Sequence, residues 1–231
     1  MVLLILLLLL AVALAVVWQT TGTVHHQTSS VSMSGLRHAD VTLNLGAGSL
    51  HVSGTAATGK AVDATFAYNT PGVNWDETHS GGALALTVGQ KSGSVFNPFT
   101  MKNDWTIRLS RYLPLSLRVN SGAGEAVLDL RHVDLRNLDV NGGAGSIRID
   151  LRRAWTRNVN VTVHGGVGET TIAVPASVAV VAHVHAGIGS TQVTGLVAKN
   201  GEYVNEQYGR SPTTLSISVD QGVGTVKLTT G

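Results

Sequence analysis

Along most of this chain, apolar residues fall at every second position. Leu115, Leu117 and Val119 alternate with Ser116 and Arg118, and Leu128 and Leu130 flank Asp129. The same beat returns in Ile147, Ile149 and Leu151, in Val159, Val161 and Val163, in Ile172 and Val174, in Val178, Val180 and Val184, in Leu215, Ile217 and Val219, and in Val226 and Leu228. A period of two is that of a β-strand with one face turned to a core. After residue 18 no run of useful length shows the 3.6-residue period of a helix.

Six times the alternation meets a glycine-aliphatic-glycine tripeptide. These are Gly46-Ala47-Gly48, Gly122-Ala123-Gly124, Gly143-Ala144-Gly145, Gly166-Val167-Gly168, Gly187-Ile188-Gly189 and Gly222-Val223-Gly224. The central second glycines stand at 124, 145, 168 and 189, in steps of 21, 23 and 21. A near-constant period of this size marks a repeat architecture. Two topologies fit: a β-solenoid (a single-stranded β-helix-like stack of Gly-x-Gly rungs), or hairpins joined at the tripeptides. Short hairpin turns favour Asn-Gly and Asp-Gly, whereas here whole units repeat, which favours the solenoid. The glycines are expected at structural turns, where φ is positive and where equivalent corners stack about 4.8 Å apart with no room for a side chain. The aliphatic residue between them is expected to point inward and plug the corner.

The first half is looser. Val41 to Val52 forms one clear unit, while Phe66, Tyr68, Trp75 and Leu84-Leu86-Val88 suggest longer antiparallel strands. Residues 90–104 read as an exposed loop. The long gap from Gly189 to Gly224 predicts a rung carrying an insertion near Lys199 to Pro212. Trp105 opens the alternation Trp105, Ile107, Leu109 and is expected to cap the core at one end of the stack.

Met1 to Trp18 contains no charged residue. As a helix it would span about 27 Å, close to the hydrocarbon thickness of a bilayer, with Trp18 at the interface. It reads as one N-terminal transmembrane helix in contact with membrane lipid. Ala11-Val12-Ala13 and Ala13-Leu14-Ala15 also fit signal-peptide cleavage, which would release a secreted body. The expected organisation is an anchor at 1–18, a flexible Ser/Thr/His-rich linker at 19–38 and the β domain at 39–231. That domain is expected on the extracytoplasmic side of a cell membrane, held by a single pass.

The chain has no cysteine, which excludes disulfides and thiol chemistry. With 16 basic and 14 acidic residues and a net charge of +2, there is no basic footprint for nucleic acid.

Motifs that would carry chemistry fail when tested. A dinucleotide loop needs a third glycine, where this chain has His51, Val127, Arg148, Thr171, Gln192 and Lys227. Calcium-binding β-rolls need aspartate, where Ile147 and Thr170 stand. His183 and His185 share a strand face and His25-His26 lie in the linker, but no carboxylate accompanies either pair in sequence and HExxH is absent. Asp129, Asp134, Asp139 and Asp150 lie close in a stack, yet arginines 131, 136, 148 and 152 accompany them as in a solvated charge ladder. No nucleophile elbow occurs. No catalytic residue, cofactor or metal is expected.

The order of elements resembles the toast-rack family, the β domain of LiaF-like bacterial envelope-stress proteins and of related adhesin-like proteins. The resemblance is carried by Leu43-Asn44-Leu45-Gly46-Ala47-Gly48, a middle strand pair, Trp105-Thr106-Ile107-Arg108-Leu109, Leu113-Pro114-Leu115-Ser116-Leu117 and the successive glycine rungs. It covers roughly residues 39 to 230 and implies a domain without catalytic residues.

The expected function is a membrane-anchored, non-catalytic envelope scaffold that binds a partner protein or an envelope polymer, with envelope-stress sensing as a role the resemblance suggests. Its candidate binding face is Asp129, Arg131, Arg148 and Asp150. The alternatives are a self-assembling structural or adhesin protein, since solenoid ends are open edges, and a polysaccharide-active β-helix enzyme.

Overall fold

The computed structural model describes residues 23–93 and 101–231. The expected transmembrane segment 1–18 therefore lies outside the described residues. Within them no helix is long and apolar enough to cross a membrane. The described chain is all β. Its strands in order are β1 (His25–Ser32), β2 (His38–Ser53), β3 (Lys60–Tyr68), β4 (Val73–Ser80), β5 (Ala83–Gln90), β6 (Asn103–Leu109), β7 (Leu115–Asp129), β8 (Leu135–Asp150), β9 (Val159–Val174), β10 (Ala179–Thr194), β11 (Val197–Lys199), β12 (Glu202–Val204) and β13 (Thr214–Thr230).

Six strands are long and carry a Gly-x-Gly at mid-length: β2, β7, β8, β9, β10 and β13. They pair in parallel and in register, so that Ala123 faces Ala47 on one side and Ala144 on the other, and Gly145 lies between Gly124 and Gly168. Hairpins joined at the tripeptides are thereby ruled out, because each tripeptide lies inside one strand. A straight strand of 15 residues such as β7 would be about 50 Å long. The connector 130–134 can span at most about 18 Å, yet it leads back to the start of the next parallel strand. Each long strand is therefore bent back on itself at the glycines, and its two arms face each other across the core.

That core is built of ladders. Val41, Leu117, Leu138, Val161, Ile217 and Ala182 are successive cross-strand neighbours on the first arms, with Leu86 of β5 continuing the row beyond Val41. Val52, Leu128, Ile149, Ile172, Leu228 and Val193 do the same on the second arms. Nearly all are buried. The two-residue period puts them on one face, and the bend turns that face onto its mirror arm.

The residue between the glycines does not plug the corner. Val167, Val223 and Ile188 are 58%, 40% and 73% exposed. The inward positions are the residues bracketing the elbow, such as Leu45 and Leu50 or Ser121 and Ala126. The chain turns between them, so the middle residue falls on the convex side. Interior space at the elbow is filled instead by side chains such as that of Gln221, which is buried. Its Oε1 accepts from the Thr170 hydroxyl at 2.8 Å, and its Nε2 donates to the carbonyls of Gly166 and Val223.

Both ends depart from the simple repeat. At one end, β5 pairs with the first arm of β2 and β6 with the second. The antiparallel strands β4, β3 and β1 extend outward from these. Trp105 on β6 is fully buried and meets Phe66 edge-on at 5.4 Å. The expected linker contains β1, whose backbone bonds to β3 make an edge strand without needing an apolar alternation.

At the other end the insertion forms the β11–β12 hairpin, and then the stacking order breaks. Strand β13 lies between β9 and β10 rather than beyond β10.

Candidate binding surfaces

Asp129, Arg131, Arg148 and Asp150 gather on the outer face of the second-arm sheet. They rim a shallow trough of about 310 Å³ whose floor includes Val127, Thr171 and Ala173. Register makes this happen: Asp129 lies opposite Asp150, and Val127 opposite Arg148. Arg131 follows in the connector.

Their charges are already paired. The Arg131 guanidinium donates to both Asp129 oxygens, at 2.8 and 2.7 Å, and Arg152 does the same to Asp150 at 3.0 and 2.7 Å. Arg131 Nε also lies 3.4 Å from Asp150 Oδ2, and Arg148 pairs with Glu125. The result is an alternating row of Asp129, Arg131, Asp150 and Arg152.

The hydrogen bonds from Arg131 are the main reason the Asp129 carboxyl lies below its ordinary range, against partial burial that works the other way. For Asp150 partial burial is the largest single influence and raises the pKa. The hydrogen bonds and charge of Arg152, with the charge of Arg131, together outweigh it and bring the group down. Both carboxylates are therefore ionised acceptors.

The twelve tripeptide glycines, Gly46 and Gly48 through Gly222 and Gly224, all lie at the elbows. A Cβ on Gly145 would sit 1.9 Å from the carbonyl oxygen of Gly124, at a φ of +131°. On Gly189 it would sit 1.7 Å from that of Gly224. The elbows are thus close backbone contacts between rungs. At the first elbow, Gln90 Oε1 accepts from the backbone N–H groups of Gly46 and Ala47 at 2.9 and 3.2 Å. It caps an elbow beside an open groove of about 790 Å³.

The first-arm face is polar and less charged. Asn120 donates to Asn44 at 2.7 Å and Asn141 donates to Asn120 at 3.0 Å, an amide ladder running up the stack. A trough of about 580 Å³ beside it is lined by groups such as Asp40, Arg118, Asp139 and Asn160. Sequence spacing concealed the roles of Gln90 and Gln221, since both act on residues far away in the chain.

The chain matches the family model described as the N-terminal domain of toast_rack, DUF2154, over residues 20–173. Residues 123–228 match the model described as cell wall-active antibiotics response LiaF, C-terminal. Among solved structures, it is similar to a candidate cell adhesion protein from Clostridium sporogenes ATCC 15579. Identity is 27%, coverage is 90% of this chain and 100% of that one, and the TM-score is 0.86. A candidate adhesin from Bacteroides fragilis NCTC 9343 shares 12% identity over 89% of this chain and 97% of its own, with a TM-score of 0.30. One from Parabacteroides merdae ATCC 43184 shares 12% over 90% and 96%, with a TM-score of 0.32. No curated protein matches the chain.

Proposed function

Because the chain belongs to the toast-rack family, we propose that it is a non-enzymatic envelope protein presenting a rigid β surface to a partner protein or an envelope polymer. Residues 1–18 anchor it in a membrane with the β domain on the extracytoplasmic side. The match to the LiaF C-terminal model and the likeness to a candidate adhesion protein support an envelope setting. If the partner is a signalling protein, the role is envelope-stress sensing.

The observation that carries the reading is the row Asp129, Arg131, Asp150 and Arg152, set where two registered strands end and their connectors begin, with each charge already paired. Paired surface charges contribute little to stability, but a fixed alternating pattern gives a partner register and selectivity. The same pairing argues against glycoside hydrolysis. That chemistry needs one carboxyl kept protonated as a general acid, and both aspartates are shifted the opposite way.

The test is capture from envelope extract with the detergent-solubilised full chain, beside a variant carrying Asp129→Lys and Arg131→Glu. Retention of a defined protein or polymer by the parent, and its loss in the variant, is the expected result. Equal retention by both would remove this face from the function.

A further inference from the structure

The break in stacking order has a chemical result. His183 and His185 stand two apart on β10 and project from the same face. Neither has a carboxylate nearby in sequence. Strand β13, inserted between β9 and β10, supplies one: Asp220 lies opposite His185 on one side and His164 on the other. Asp220 Oδ2 lies 3.6 Å from His164 Nδ1. From the hairpin, Glu202 Oε1 reaches His183 Nε2 at 2.8 Å. Three imidazoles and two carboxylates thus share one outward patch spanning β9, β13, β10 and β12.

We propose that His183, His185 and Asp220, with His164 beside them, form a binding site for a divalent transition-metal ion of the zinc type. Imidazole and carboxylate are the donor set such ions take. Residues two apart on a strand lie about 7 Å from each other and residues on adjacent strands about 4.8 Å, so His183, His185 and Asp220 make a compact triangle. The bond between Glu202 and His183 has the form of the carboxylate partner that orients a ligating imidazole and leaves its other nitrogen for the metal.

Among the described residues, no three such side chains close on one point as they stand. Here His164, Asp220 and His183 are each more than half exposed. Turning them toward one another displaces water rather than packed atoms. The backbone places the donors, and the ion draws them together.

The test uses the detergent-solubilised full chain, with Zn²⁺ competed against a chromophoric chelator. Ca²⁺ and Mg²⁺ serve as controls, because hard cations prefer all-oxygen sites. One saturable Zn²⁺ per chain is expected. Affinity should fall at least tenfold in His185→Ala and in Asp220→Asn, and stay unchanged in His51→Ala, which alters a histidine on the other sheet. All three positions face outward, so the apo variants should melt like the parent. The proposal is overturned if the parent shows no saturable equivalent, if His51→Ala loses as much as the others, or if His185→Ala and Asp220→Asn bind like the parent.

Discussion

A methyl group on Gly145 would lie inside van der Waals contact with the backbone of the rung below, while the side chain next to it, Ala144, is exposed. The two positions should respond very differently to the same substitution. Gly145→Val combines strain at positive φ, about 1–3 kcal/mol, with a clash that only backbone movement relieves. It should cost at least about 3 kcal/mol in denaturant unfolding, while Ala144→Val stays within about 0.5 kcal/mol.

Gln221 is the polar counterpart inside the elbow. Gln221→Ala strands the buried Thr170 hydroxyl and removes one donor from each of two carbonyls, and should cost about 1–3 kcal/mol by the same assay.

Acid sensitivity also belongs at this scale. The folded-state pKa of Asp129 is depressed, so its contribution is present above the unfolded carboxylate pKa of about 4 and is lost as pH falls through the lower folded value. Stability measured below about pH 4 should therefore fall less steeply in Asp129→Asn than in the parent.

Among the elements, the β11–β12 hairpin is held by its pairing with β10 and by buried Val204, and a buried amide side chain fastens its exit. Asn205 Nδ2 donates to the Val178 and Pro175 carbonyls, and its Oδ1 accepts from the N–H of Val180. It ties the chain leaving β12 to the connector between β9 and β10. Asn205→Ala should raise amide hydrogen exchange at Val180 and Val181 more than at Val161, which lies two strands further into the stack.

The long strands were readable from the period-two pattern and their spacing from the glycines, because both are local properties written every two or every 21 residues. The outward tilt of Val167 and Ile188 was not. Alternation says which residues share a face, but not where a bent strand puts its convex side. Strand β1 escaped because His25 to Ser32 holds almost no apolar residue, and an edge strand is held by its backbone. The four charged residues could be placed together because they come from adjacent rungs with a regular step. The carboxylates beside His183 and His185 could not, since Asp220 and Glu202 reach them through an order of strands that no periodicity encodes.

For the whole molecule, stacking distributes stability along one axis. Each rung touches its neighbours, and the two ends are finished differently, one by the sheets of β1, β3, β4, β5 and β6 and the other by a short hairpin. The inserted strand has a consequence in time. A growing chain presents β10 well before β13 has been made. The surface that β9 offers then is the one β13 will later occupy, so a β10 that paired with β9 at once would set His185 beside His164 and would have to let go. The finished order can be reached only after the chain has passed residue 230. Released chains truncated after residue 210 should therefore lose β10 to protease while β7, β8 and β9 remain protected, and β10 should become resistant only when residues 214–230 are present.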